Sequence, residues 1–264
     1  MLLMEVLKVG IFQAEIGHNI ERRREDSLQA IEESKGLDLL CFPEMWLTGF
    51  KVDDVTIRFA ENFLNEVIEL SKGMETTIVL GTLPERKGRK VYNTSFIIKN
   101  GLIIAKRRKY FLFEPMGEKE LYEKGEMPQA IKIDGRLTLG VIICYELRFP
   151  ELTKLLSING CNIVVCTAQW PQDREDHWKL LLRARAVESQ TFMIGVNVVG
   201  ENKNYKFNGY SAVVGPYGNP FIEISKVSGL YKVKIDLEEV DRYRKYVPVI
   251  RDSLLDGRQV WKGF

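Results

Sequence analysis

Residues 140–152 read Gly140-Val141-Ile142-Ile143-Cys144-Tyr145-Glu146-Leu147-Arg148-Phe149-Pro150-Glu151-Leu152. A short unbroken run of β-branched apolar residues predicts a strand buried on both faces, as in parallel α/β sheets. The run closes on a thiol, and Pro150 suits the first turn of a helix. Two other segments have the same shape. Leu39–Phe42 runs into Pro43-Glu44, and Asn162–Cys166 runs into Ala168-Gln169-Trp170. Ligands collect beyond the carboxyl ends of parallel strands, so parallel packing of these three would bring Glu44, Cys144 and Trp170 to one edge.

Working outward, strands and helices alternate and then give way to a strand-rich final third. Leu7–Gln13 reads as a buried strand, and Asn19 as the cap of a helix ending near Gly36. Phe63, Val67 and Leu70 form one stripe of a helix over Phe59–Ser71. Thr76–Thr82 and Tyr92–Lys99 read as strands, with Asn100-Gly101 as a hairpin turn into Leu102–Ala105. A helix over Pro150–Ser157 and a longer one over Arg174–Ser189 flank the strand at 162–166. Phe192–Val198, Tyr210–Val214, Pro220–Ile224 and Leu230–Ile235 complete the strands. There is no low-complexity linker and no fixed-period repeat, so residues 1–264 are expected to form a single α/β domain. Glu238–Phe264 is polar and poorly periodic, and is expected to pack along a neighbouring subunit.

Composition narrows the function. With 45% hydrophobic and 28% charged residues among 264, the chain has the balance of a globular protein. A formal net charge of +2 gives no reason to expect a nucleic-acid partner. The apolar runs are strand-sized, far below the roughly 20 residues of a membrane span, and Met1–Leu7 lacks the features of a secretory signal. Four cysteines (Cys41, Cys144, Cys161, Cys166) and two histidines (His18, His177) form no CxxC or HxxxH pair. Cys161 and Cys166, five apart on one expected strand, should face opposite sides of it. The expectation is no metal, no cofactor, and a reducing, cytoplasmic compartment.

Cys144 at a strand-to-helix junction would meet backbone N–H groups and a helix dipole, which lower a thiol's pKa. The plainer alternative is a buried strand cysteine. Of the groups that could activate it, His177 beside Trp178 reads as a structural or surface histidine. Glu44, closing an apolar strand behind a proline, is the better base; its alternative is a helix-start carboxylate. Lys106-Arg107-Arg108-Lys109 reads as a solvated basic turn unless one lysine reaches inward, where it would stabilise an oxyanion.

Taken together, these segments resemble the nitrilase superfamily of carbon–nitrogen hydrolases over nearly the whole chain. Cys41-Phe42-Pro43-Glu44 resembles its strand ending in the general base. Arg107-Arg108-Lys109-Tyr110-Phe111-Leu112-Phe113 resembles the Tyr-Arg-Lys-x-His-Leu-Phe segment that carries the catalytic lysine, and residues 140–152 resemble the nucleophile segment. Gly117-Glu118, followed by Tyr122 and Gly125, resembles Gly-Glu-x-x-x-Phe-x-x-Gly, whose glutamate positions substrate and lysine. Arg107, Phe111 and Glu146 depart from the usual Tyr, His and Asp.

The resemblance implies a four-layer αββα sandwich that pairs into a homodimer or higher oligomer. It implies Glu44, Lys109, Cys144 and Glu118 as catalytic residues acting on a small-molecule amide through a Cys144 thioester. Tyr145, through its backbone N–H, would help hold the oxyanion. Trp170-Pro171-x-x-Arg174 resembles omega-amidases, which cleave α-keto acid amides, and Arg148 or Arg174 would then pair with a substrate carboxylate. The alternatives are an N-carbamoyl amino acid hydrolase, an aliphatic nitrilase, or an N-acyltransferase on the same scaffold.

Overall fold

The computed structural model describes residues 6–256. In chain order the elements are β1 (Val6–Gln13), α1 (Ile20–Glu32), β2 (Leu39–Cys41), α2 (Asp54–Leu70), β3 (Thr77–Lys87), β4 (Lys90–Lys99) and β5 (Leu102–Arg108). There follow α3 (Glu118–Leu121), β6 (Ile131–Lys132), β7 (Thr138–Ile143), α4 (Pro150–Ile158), β8 (Ile163–Thr167), α5 (Glu175–Ser189) and β9 (Phe192–Val196). The last are β10 (Val199–Glu201), β11 (Lys206–Val214), β12 (Pro220–Ser225), β13 (Gly229–Asp236), α6 (Glu238–Tyr246) and α7 (Val249–Asp256).

The strands form two sheets. One runs β13-β1-β2-β3-β4-β5, the other β10-β11-β9-β8-β7-β6 with β12 paired to β11. β1, β2 and β3 are parallel in the first, and β7, β8 and β9 in the second. The period-2 alternation of strand side chains then divides the apolar residues among three cores. Val9, Ile11, Leu39 and Cys41 meet Leu139, Val141, Ile163 and Val165 between the sheets. Leu40, Phe42 and Ile78 point the other way, onto Ala30, Ile31, Phe63 and Val67 of α1 and α2. Val164 and Cys166 pack under Leu152, Leu156, Trp178 and Leu182 of α4 and α5. The result is helix, sheet, sheet, helix: the expected αββα sandwich.

Several boundaries differ from the sequence expectation for local reasons. Asn19 caps α1 as expected, accepting from Arg22 N at 2.9 Å. α2 begins five positions before Phe59, because Asp53 caps it through Thr56 N at 2.8 Å. Cys161 precedes β8, so the alternation does not apply to it, and both it and Cys166 sit in the core under α4 and α5. The basic run 106–108 is the end of β5, not a solvated turn: Lys106 and Arg108 bind Glu85, while Arg107 turns inward. The described part of the C-terminal segment is helical and docks on its own subunit. Val240 is buried, and Arg244 donates to Cys161 O at 2.7 Å and Ser157 Oγ at 2.9 Å. Those partners lie far away in sequence, out of reach of a periodicity argument. Residues 257–264 lie outside the described residues.

One glycine shapes the site directly. At Gly81 (φ 31°) a Cβ would stand 1.7 Å from Pro43 O. Only glycine allows β3 so close that Thr82 N reaches Pro43 O and Met45 N reaches Thr82 O, each at 3.2 Å. This seats the Pro43-Glu44 turn.

Glu85 is a cross-strand hub, bound by Arg108 and Lys106 from β5 and by Thr94 from β4. Burial alone would raise its pKa, but these partners outweigh it and hold the carboxyl at about 2. A depressed folded-state pKa adds stability that is present above the ordinary carboxylate range and lost as pH falls toward 2. Glu85→Gln should therefore lower the urea midpoint at neutral pH and lose its effect in acid; a deficit independent of pH would show that the charge is not the cause.

Candidate active site

The two sheets present their carboxyl ends at the same rim. β2 delivers Glu44, β7 delivers Cys144 and β8 delivers Gln169 and Trp170, while Lys109 follows directly on β5. The convergence expected from the sequence is present, but it bridges two sheets instead of running along one edge. Glu44 N donates to Ala168 O at 3.3 Å, Gln169 Nε2 to Glu44 O at 3.0 Å, and Gln169 N to Glu44 Oε2 at 3.3 Å.

At the centre, Lys109 Nζ lies 2.9 Å from Glu44 Oε1 and 2.6 Å from Glu118 Oε1. All three side chains are buried. Glu44 Oε1 also accepts from Asn93 Nδ2 at 2.9 Å, and Glu118 Oε2 from Phe113 N at 2.9 Å. Lys109 is fixed along its backbone, with Lys109 N on Asn93 O at 2.9 Å and Gly125 N on Lys109 O at 2.8 Å. Burial lowers the ammonium's pKa, but Glu118 and Glu44 overcome it and hold Lys109 well above the usual lysine range. Burial and Glu44 push Glu118 upward, against the pull of Lys109. The cluster is thus a cation fixed between two carboxylates, one of them displaced toward its acid form.

Cys144 stands at the end of β7 with φ 47°, in the left-handed region that non-glycine residues rarely occupy. Its Sγ lies 3.8 Å from Gln169 O. The chain continues as a five-residue 3-10 turn, Cys144–Arg148, and α4 begins only at Pro150. No α-helix starts at the thiol, so the expected dipole effect is absent. Burial and the charge of Glu44 instead push the Cys144 thiol well up, against Lys109.

A small pocket of about 30 Å³ opens over Cys144, lined by Phe113, Met116, Tyr145, Arg148, Trp170 and Arg174. Trp170 forms its wall, with its N–H on Asn197 Oδ1 at 2.7 Å and its indole on Arg174 O at 2.7 Å. The Arg148 guanidinium lies 4.8 Å from the Trp170 ring and that of Arg174 5.8 Å from Phe113. His177 Nδ1 is 3.4 Å from Arg148 Nη2. Among the described residues no group of three or more His, Cys, Asp or Glu side chains could hold a metal ion.

Every site residue singled out from the sequence is therefore at this rim: Glu44, Lys109 and Glu118 in one cluster, Cys144, Tyr145, Arg148, Trp170 and Arg174 around the adjoining pocket. Asn93 was missed. Its signal was present in Asn93-Thr94-Ser95, three polar residues in succession within β4 and followed by Phe96-Ile97-Ile98, all buried. The Tyr122 hydroxyl was also missed as a site group; it is buried without a partner among the described residues.

The carbon-nitrogen hydrolase family model matches residues 8–245. The chain belongs to this family. It is 36% identical over 232 residues to a 2-oxoglutaramate amidase of Bacillus subtilis, covering 85% of this chain and 88% of the relative. It is 28% identical to a chloroplastic omega-amidase of Arabidopsis thaliana, covering 96% of this chain and 73% of the relative. A carbon-nitrogen hydrolase superfamily protein of Xanthomonas campestris superposes with a TM-score of 0.82 at 25% identity, covering 94% of this chain and 97% of that one. This carbon-nitrogen hydrolase is an enzyme acting on carbon–nitrogen bonds other than peptide bonds, on the amidase side of the family.

The raised thiol is directly testable. Difference ultraviolet titration of the protein against Cys144→Ala should show no thiolate at or below about pH 8.5, where a free cysteine is half ionised. A signal already complete there would mean that Lys109 outweighs burial and Glu44.

Proposed function

We propose that this carbon-nitrogen hydrolase cleaves the terminal amide of a small α-keto acid such as 2-oxoglutaramate, releasing ammonia and the dicarboxylate. The observation that carries this reading is the buried Glu44–Lys109–Glu118 cluster beside a thiol-floored pocket with two arginines at its wall. Because the resting thiol is neutral, its proton must leave as the sulfur attacks. Glu44 takes that proton and the Cys144 sulfur bonds to the amide carbon. Lys109 and the backbone N–H of Tyr145 hold the tetrahedral oxyanion. Glu118 holds Lys109 in place. Glu44 returns the proton to the departing nitrogen, leaving a thioester and free ammonia. Water, deprotonated by Glu44, then attacks the thioester, releasing the acid and restoring the thiol.

Arg174 or Arg148 pairs with the carboxylate at the far end of the substrate, and Trp170 shapes the pocket wall. The same reading has two copies meeting through helices: Leu180 and Val187 on α5 are 66% and 40% exposed, and nearby Tyr217 is 50% exposed, an apolar patch that a second copy would cover. The free thiols of the four cysteines suit a reducing compartment such as the cytoplasm.

Ammonia release should be measured over a panel of 2-oxoglutaramate, linear aliphatic amides, carbamoyl amino acids and nitriles, with and without competing amines. The proposal expects 2-oxoglutaramate to rank first and Cys144→Ala to be inert. Full activity in Cys144→Ala overturns the mechanism; a carbamoyl compound or nitrile ranking first, or amines capturing the acyl group, overturns the substrate or reaction assignment. Arg174→Ala should raise KM roughly tenfold for carboxylated amides, the loss of one charge-assisted hydrogen bond, and leave uncharged amides unaffected.

A further inference from the structure

Two of the three departures from the family pattern meet each other in space. Arg107 Nη2 lies 2.7 and 2.9 Å from the two oxygens of Glu146. The pair is 6% and 0% exposed and joins β5 of one sheet to the turn after β7 of the other. Glu146 also gathers main-chain donors from both sides. Its Oε1 accepts from Tyr110 N at 2.6 Å and Phe111 N at 3.2 Å, and its Oε2 from Ile143 N at 2.8 Å. Tyr110 follows Lys109, and Ile143 precedes Cys144. One carboxylate thus grips the chain next to the lysine and next to the thiol. The third departure, Phe111, stacks on Phe149 at 3.8 Å just beyond the same clamp.

From this geometry we infer that Arg107 and Glu146 are positioning residues that set where the Lys109 ammonium stands relative to the Cys144 sulfur. Stability alone accounts poorly for such a pair, since a buried ion pair is often no better than apolar residues of similar volume. Here the cost is higher still, because Arg107 Nε and Nη1 find no partner among the described residues. What the pair supplies is direction. Cys144 holds a strained left-handed φ of 47°, and the bond from Ile143 N to Glu146 fixes the turn at its N-terminal side. Arg107 holds the carboxylate toward β5 through both of its oxygens, so the sheet carrying Lys109 and the sheet carrying Cys144 cannot slide apart at this rim. Misplacing reacting groups by about 1 Å can cost about 10²-fold in rate.

The inference rests on the proposed roles of Cys144 and Lys109, and its test separates the two. Arg107→Met and the double variant Arg107→Met/Glu146→Gln are compared with the intact enzyme for thermal midpoint, KM and kcat, with kcat expressed per active site counted by the acyl-enzyme burst. Arg107→Met leaves a buried unpaired carboxylate, so its midpoint should fall, with kcat down about 10²-fold and KM unchanged. The double variant removes the buried unpaired charge and should regain part of the lost midpoint, the remainder going with the main-chain donors it leaves unpaired. Its kcat should stay low, because a glutamine amide can no longer accept from the donors on both sides. Recovery of kcat together with stability, a loss confined to KM, or a wild-type kcat in Arg107→Met would each overturn the inference. If Cys144→Ala remains active, the catalytic reading itself has failed, whatever the Arg107 variants do.

Discussion

A buried ammonium held between two carboxylates is the constraint on which the rest of the site depends. Lys109 has nowhere to place its charge except on Glu44 and Glu118, since an unpaired ion in a protein interior costs many kcal/mol. That requirement links three segments that are distant in sequence. It brings the end of β2, the end of β5 and the start of α3 to one point, and Asn93 and the Phe113 amide complete the shell. The same charges set the state of the thiol. Burial and the charge of Glu44 push the Cys144 thiol up more than Lys109 pulls it down, so it stays protonated. A thiol in this state fits the proposed mechanism, in which Glu44 takes the proton as the sulfur attacks.

The sandwich supplies the rigidity this arrangement needs. Each sheet places its parallel strands at the centre, and the carboxyl ends of both sets face one rim. The two turns that follow them are strained: Met45, next to Glu44, and Cys144 have φ of 42° and 47°. Such backbone persists only where its surroundings over-determine it. Around Glu44 that work falls to the close approach of Gly81 to Pro43; around Cys144 it falls to the Glu146 carboxylate.

Motif comparison and structure read the unusual residues differently. Taken singly, Arg107, Phe111 and Glu146 looked like three independent departures around the proposed lysine and nucleophile. In the fold Arg107 and Glu146 are partners in one buried ion pair, and Phe111 stacks on Phe149 beside them. A cation on β5 is matched by the longer of the two acidic side chains on the opposite sheet, so the departures form one connected change at the sheet interface.

By itself the sequence determined the elements that have local causes: the buried strands ending at Glu44 and Cys144, the Asn19 cap, the Asn100-Gly101 turn and the order of the four proposed catalytic residues. Alternation and capping act over a few residues, so a linear reading captures them. Only the tertiary structure decided that the rim bridges two sheets and that Arg107 faces inward while Lys106 and Arg108 face Glu85. It likewise decided that Asn93 belongs to the site, and that Val240 and Arg244 dock α6 onto their own subunit. The thiol is the clearest case. Its strand-end position suggested a lowered pKa, but that value is set by burial and by charges brought from positions 44, 109 and 118. Those are through-space energies, which depend on distances that the order of residues along the chain does not contain.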